Sequence, residues 1–282
     1  MLTGHPLTYR RPVEAYWRWL RWQIASRLVG MPIIVPFVDD THIAVSIENR
    51  GMRGNIYVGL LEFEDMSFTV HFLREGDLFG DVGANMGAYT TLAAGVRQAH
   101  VIAVEPVPAT VRALIRNIAV NGIGDLVEVR ALGVGEKAGV MYISVDQDCM
   151  NHVVSCSEGL EISTQSLDEI FGKRTPTMLK IDVEGFESGV LKGATKLLGD
   201  PNLEAIIIEL NGLGARYGYD DKETDAKIRD FGFLSFVYDP WTRELSSAKM
   251  SGTHNTLYIR NLEFVSRRLK TAKPFRVLNH SI

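Results

Sequence analysis

The chain has 282 residues, 46% of them hydrophobic, with 30 Lys and Arg against 34 Asp and Glu, a net charge of −4 and a pI near 6.0. This size and apolar content suit one large α/β domain with an extension better than two equal domains. The acidic balance gives no global case for a nucleic-acid partner.

Cys149 and Cys156 are too few for a disulfide scaffold and too far apart for a C-x-x-C metal site. No apolar run reaches membrane-spanning length, and the N-terminus lacks the apolar core of a signal peptide. A soluble cytoplasmic protein with free thiols is expected.

Residues 1–58 read as an extension to a domain over 59–282. Val13 to Val29 is predicted helical, with Trp17, Leu20, Ile24 and Leu28 in one stripe. Arg10, Arg11, Arg18, Arg21 and Arg27 stand among Trp17, Trp19 and Trp22. One reading is an interfacial helix touching a membrane or a lipid-linked glycan. The other is a helix packed on the main domain or, as a homodimer contact, on a second subunit. Ile33–Val38, His42–Ile47 and Asn55–Val58 read as short strands of an antiparallel lobe over the cofactor edge, and Leu60–Leu73 as a helix bearing Glu62 and Glu64.

The central stretch is Asp77 to Thr90: an apolar strand over Leu78–Val82, a tight loop over Gly83–Gly87, then a helix over Ala88–Arg97. Glycines at such a turn let backbone N–H groups approach a ligand at a helix start. The spacing Asp81-x-Gly83-x-Asn85-x-Gly87 is neither G-x-G-x-x-G nor a phosphate loop. An acid at Asp81 repels a pyrophosphate but favours the ammonium and sulfonium of S-adenosylmethionine. Glu105 closes the next strand, Val101–Val104, where a carboxylate can hold a ribose diol.

Helix Ala109–Val120 and strand Leu126–Ala131 follow, then a loop from Leu132 to Gly135. Gly139–Val145 reads as hairpin-like, and the polar stretch Asp146–Glu158, including Asn151 and His152, as a mobile substrate lid. Strand Met178–Ile181 then opens at the carboxyl edge, where Lys180, Asp182 and Glu184 alternate and would share a face if extended. Glu204–Leu210 completes the parallel run, placing Glu209 and Asn211 at the same edge. A helix, Asp221–Asp230, and strands Phe233–Tyr238 and Thr256–Arg260 close the sheet, with His254 and Asn255 before the last strand as candidate pocket residues.

Asp81-Val-Gly-Ala-Asn-Met-Gly87, Val104-Glu105-Pro106, Asn117 and Lys180-Ile-Asp-Val-Glu-Gly185, in this order, resemble the FkbM family of S-adenosylmethionine-dependent O-methyltransferases over approximately residues 60–260. The resemblance implies a class I methyltransferase fold, a mainly parallel seven-stranded sheet with helices on both faces. It also implies methyl transfer to a hydroxyl of a sugar, glycan or natural-product acceptor.

On this reading Asp81, Gly83, Asn85, Gly87, Glu105, Leu132 and Asp182 bind the cofactor. Asp182 or His254 is the base, oriented or tuned by Lys180 and Glu184. Asp182, Glu184, Glu209 and Asn211 are also hard oxygen ligands of the kind that hold magnesium, but sequence shows no convergence and no metal is assigned. Two other classes remain: a nicotinamide-dependent oxidoreductase, which would also use Glu105, and a non-catalytic nucleotide-binding module, which would need nothing at Lys180 to Glu184. Asp81 and the missing G-x-G-x-x-G count against the first, and acids at two further strand ends against the second.

Overall fold

The computed structural model describes residues 2–144, 151–154, 159–250, 252 and 254–282. Asp146, Asp148, Cys149, Ser155, Cys156 and Ser157 of the expected lid therefore lie outside the described residues.

The chain opens with helix α1 (Pro12–Val29) and an antiparallel hairpin, β1 (Ile33–Pro36) and β2 (His42–Val45). Helices α2 (Arg50–Val58) and α3 (Phe63–Phe72) follow. The core then alternates: β3 (Leu78–Val82), α4 (Ala88–Thr90), β4 (His100–Val104), α5 (Pro108–Asn121) and β5 (Val127–Arg130).

A side sheet comprises β6 (Gly133–Val134), β7 (Gly139–Ile143), β8 (Val153–Val154) and β9 (Leu160–Gln165). After α6 (Leu167–Phe171) come β10 (Met178–Ile181), α7 (Glu187–Lys192), α8 (Thr195–Gly199) and β11 (Ala205–Leu210). The chain ends with α9 (Asp221–Asp230), β12 (Leu234–Asp239), β13 (Glu244–Ser247), β14 (His254–Ile259), α10 (Leu262–Lys270), β15 (Arg276–Val277) and β16 (His280–Ser281).

The main sheet runs β13-β12-β14-β11-β10-β3-β4-β5. β5, β4, β3, β10 and β11 are parallel, and β14 inserts antiparallel between β11 and β12. This is the expected class I methyltransferase arrangement, with one strand more than the seven anticipated. The extra edge strand, β13, is set up by a turn in which the Asp239 carboxylate accepts the Trp241 N–H at 2.8 Å and Arg243 adopts a φ of +58°.

The central strands are apolar on both faces because helices cover both. In β11, Ala205 and Ile207 face one core with Phe79, Leu92 and Val101, while Ile206 and Ile208 face the other with Leu179, Leu191 and Leu198.

Three local readings change. Asn55–Val58 belongs to α2, not to a strand, since an alternation of four residues does not separate the two periods. The hairpin lies against α5 rather than over the cleft. Its β2 edge is held by side-chain amides, with Asn121 Oδ1 accepting from His42 N–H at 2.8 Å and Asn117 Oδ1 from Ala44 N–H at 2.6 Å. The helix expected over Ala88–Arg97 is α-helical for only three residues and continues as π-helix over Thr91–Val96, a wider turn that recurs at functional sites. Among the described residues no helix is long and apolar enough to cross a membrane.

Candidate active site

The β3–α4 turn is built from positive-φ residues: Gly83 at +79°, Asn85 at +49° and Gly87 at +85°. A Cβ on Gly83 would stand 1.8 Å from the Asp182 carbonyl oxygen, so no other residue fits between the two strand ends. Both Gly83 and Ala84 donate their N–H groups to the Val104 carbonyl at 2.9 Å. Glu105 fixes the rest of the turn: one carboxylate oxygen accepts the Asn85 N–H and the other the Val107 N–H, each at 3.0 Å. Each oxygen keeps a further lone pair for an incoming hydroxyl. Asn117 completes the brace by donating to the Met86 carbonyl at 2.8 Å.

A cleft of about 310 Å³ opens at the carboxyl ends of β3, β4, β10 and β11. Asp81 is 1% exposed and accepts the Thr90 hydroxyl at 2.6 Å. Burial pushes its carboxyl up to about 6, against the pull of the Thr90 hydrogen bond and of Lys180. Burial likewise pushes Glu105 up to about 7, although its backbone donors oppose the shift.

Register pairs Asp81 with Lys180 across β3 and β10. The buried Lys180 ammonium lies 2.6 Å from Asp182 Oδ2 and 4.7 Å above the centre of the Tyr89 ring. Burial alone would depress the ammonium, but the carboxylates of Asp182 and Glu62 outweigh it and hold Lys180 protonated, well above its ordinary range.

The loop after β10 does not remain extended. Glu184 takes a φ of +55°, a conformation that non-glycine residues adopt rarely. Lys180, Asp182 and Glu184 all line the cleft nevertheless. Glu187, which no sequence signal singled out, pins this loop by accepting the N–H groups of Val183 and Gly185 at 3.0 and 3.1 Å.

Carboxylate oxygens of Asp182, Glu184 and Glu209 come within 4.8 Å of one another. Burial, then the neighbouring Asp182 charge, raises Glu184 to about 7. Burial, then Asp182 and Glu184, raises Glu209 to about 8, and its Oε2 is buried without a hydrogen-bond partner.

The other expected residues divide. Asn85, Leu132, Asn151 and His152 line the cleft, whereas Gly87 sits just behind it at the helix start. His254 is exposed, outside the cleft lining, and pairs with Leu210 as the first residue of β14. Asn211 is also outside the lining and accepts the Leu213 N–H at 3.0 Å in a local turn.

A second wall was not anticipated. Tyr89 donates to Glu62 at 2.6 Å, while the Asn255 amide reaches Glu62 at 3.2 Å and Asp65 at 3.0 Å. Glu62 and Asn255 were each legible in the sequence; their meeting was not, because it joins segments 193 residues apart. Among the described lining residues, six carboxylates face one lysine, a field that attracts cations.

The family model described as the Methyltransferase FkbM domain matches residues 81–235, more than half of the chain. The hexuronic acid methyltransferase AglP of Haloferax volcanii is 30% identical over 200 residues, covering 69% of this chain and 72% of that protein. Among solved structures, the methyltransferase FkbM from Methylobacillus flagellatus KT is similar at 18% identity and a TM-score of 0.48. That likeness covers 73% of this chain and 52% of the other, so the chain spans about half of its length. Precorrin-6y C5,15-methyltransferase from Geobacter metallireducens GS-15 is similar at 12% identity and a TM-score of 0.40, over 71% of this chain and 86% of the other. The matched region begins at the buried acid of β3 and takes in all four strand ends that frame the cleft; the chain belongs to the FkbM methyltransferase family and is a methyltransferase.

Proposed function

We propose that the protein transfers the methyl group of S-adenosylmethionine to a hydroxyl of a sugar, the sugar class being supported by its likeness to a hexuronic acid methyltransferase. The observation that carries this reading is the division of the cleft: a closed glycine turn with Asp81 and Glu105 on one side, and a carboxylate cluster on the other. The residues fit the cofactor. Gly83 lines the cleft as bare backbone, Glu105 retains acceptor capacity for a diol, and the surplus of carboxylates suits a sulfonium and an ammonium. When bound, S-adenosylmethionine supplies an electrophilic methyl group whose leaving group is a neutral thioether and needs no acid.

The chain's task is then to hold the acceptor oxygen in line and take its proton. Orientation alone is worth several powers of ten, on the order of 10⁵ or more in effective molarity. Proton transfer to a base adds about 10²–10⁴-fold. Glu209 and Glu184, raised to about 8 and about 7, are matched to that work near neutral pH. Asp182 is paired with Lys180 and is suited to positioning.

A second reading is favoured by the same cluster: Asp182, Glu184 and Glu209 would hold a magnesium-type cation that acidifies a vicinal diol. Asn211 is turned to other use.

Calorimetric titration with S-adenosylmethionine, S-adenosylhomocysteine and NAD, followed by assays on free hexuronates and hexosides with and without magnesium, tests both readings. Micromolar binding of the adenosyl ligands, about −8 kcal/mol, with methylation of a sugar hydroxyl is expected. Loss of turnover in chelator would move the proton-acidifying role from the carboxylates to a metal. Binding of NAD alone would sink the cofactor assignment.

A further inference from the structure

Helix α1 is apolar on two opposite sides. Ala15, Trp22 and Ser26 are buried, and Arg18 donates to the Tyr57 carbonyl at 3.0 and 2.9 Å, which fastens this side to α2. On the other side Val13, Trp17, Leu20, Ile24 and Leu28 recur every three or four residues, one stripe of an α-helix. They are open to solvent, Trp17 by 58%, Ile24 by 53% and Leu28 by 80%. Large contiguous apolar surface of this kind marks an interaction site.

Charge identifies the occupant. Residues 1–38 contain five arginines, no lysine and a single carboxylate, Glu14, a net charge of +4 in a chain whose total is −4. Arg10, Arg11, Arg21 and Arg27 are exposed at the start and along the borders of the stripe. Glu14 is already engaged by Arg11 at 3.1 Å and by Asn279 at 2.7 Å.

A second copy of the chain meeting this stripe about a two-fold axis would bring the same arginines against one another. An anionic bilayer does the reverse. Its headgroups neutralise the arginines, its acyl boundary takes the aliphatic residues, and its interface is where Trp and Tyr rings settle. The helix is not apolar enough to span. We infer that α1 lies flat on an anionic lipid surface, with Trp17, Leu20, Ile24 and Leu28 embedded and Arg21 and Arg27 at the headgroups. The buried side of α1 rests on α2, whose Met52 and Asn55 line the cleft, so the active site stands one helix away from the lipid. The inference does not depend on which acceptor is methylated.

Flotation of the whole protein with vesicles of phosphatidylcholine mixed with phosphatidylglycerol, and of phosphatidylcholine alone, tests it. Binding to the mixed vesicles is expected, weaker on the neutral ones and falling with salt. Replacing both Arg21→Glu and Arg27→Glu should weaken it by roughly tenfold or more, as should Trp17→Ser with Ile24→Ser. The melting temperature should be unchanged, since all four side chains are exposed. Failure of the native protein to float with anionic vesicles would overturn the inference, as would binding indifferent to both pairs of substitutions. A dimer that dissociates with Trp17→Ser and Ile24→Ser would assign the stripe to a second copy instead.

Discussion

The two sides of the cleft are built on different principles. On the β3–β4 side each polar group has a partner: Asp81 holds the Thr90 hydroxyl, Glu105 holds two backbone N–H groups, and Gly83 leaves no slack against Asp182. On the β10–β11 side, charges are left in conflict. Three carboxylates crowd together, one oxygen of Glu209 has no partner, and Glu184 sits at a positive φ. On the proposed function, the first side recognises the same cofactor each cycle and gains from being finished in advance. On that same reading the second side accepts a proton, and such a side needs groups whose charge is costly until substrate arrives.

The sharpest way to break this contrast is Gly83→Ala, which drives a methyl group into the Asp182 carbonyl and demands φ of +79° from a non-glycine residue. It should cost about 3 kcal/mol or more of stability and abolish calorimetric cofactor binding. Normal binding by this variant would show that the turn is not closed as described. Next in size, Glu209→Gln should lower kcat by about 10²–10⁴-fold and leave the cofactor dissociation constant nearly unchanged. A variant with full turnover would remove Glu209 from the proton path. Asp182→Asn should slow turnover as well, but it removes the nearest opposing charge from the buried Lys180 ammonium and so should also lower the melting temperature.

Glu105→Ala belongs to the finished side and should do the opposite of Glu209→Gln. Cofactor binding weakens by about 1–3 kcal/mol, while kcat at saturating cofactor changes little.

The remaining test is a pH dependence. In the unliganded protein the carboxyls of Asp81 and Glu105 are raised to about 6 and about 7. A raised acid contributes stability below its unfolded value and loses it as pH rises through the folded value, so these two groups favour the free protein less at pH 8 than at pH 5. A cationic ligand reverses this by drawing the protons off. S-adenosylmethionine affinity should therefore climb from about pH 5 to 8, by at most about tenfold per pH unit for each proton released. S-adenosylhomocysteine, without the sulfonium, should climb less. Equal profiles for the two ligands would mean that the acids do not sense the sulfonium.

Much of this architecture was legible in the sequence because it rests on local signals. Apolar runs such as Val101–Val104 and Ala205–Ile208 mark strands buried on both faces, and the glycine and asparagine positions of the turn mark backbone that must adopt positive φ. What stayed hidden depends on distant segments meeting. The Asn255 contacts to Glu62 and Asp65, and the pinning of the 183–185 loop by Glu187, have no periodic trace. The even spacing of Lys180, Asp182 and Glu184 suggested one extended face; the chain instead turns at Glu184, and the three still converge on the cleft. His254 and Asn211 show the converse, polar residues at the right strand ends whose places lie outside the cleft lining.

The insertion of β14 between β11 and β12 carries a consequence for how the chain assembles. The β12–β13 hairpin reaches the rest of the sheet through β14, which is later in sequence than both of its strands. During synthesis the hairpin must wait, its inner edge unpaired, until residues 254–259 emerge and slip in between. A nascent chain arrested just before that point would hold its parallel half complete and expose two open edges, the state in which misassembly and capture by chaperones are most favoured.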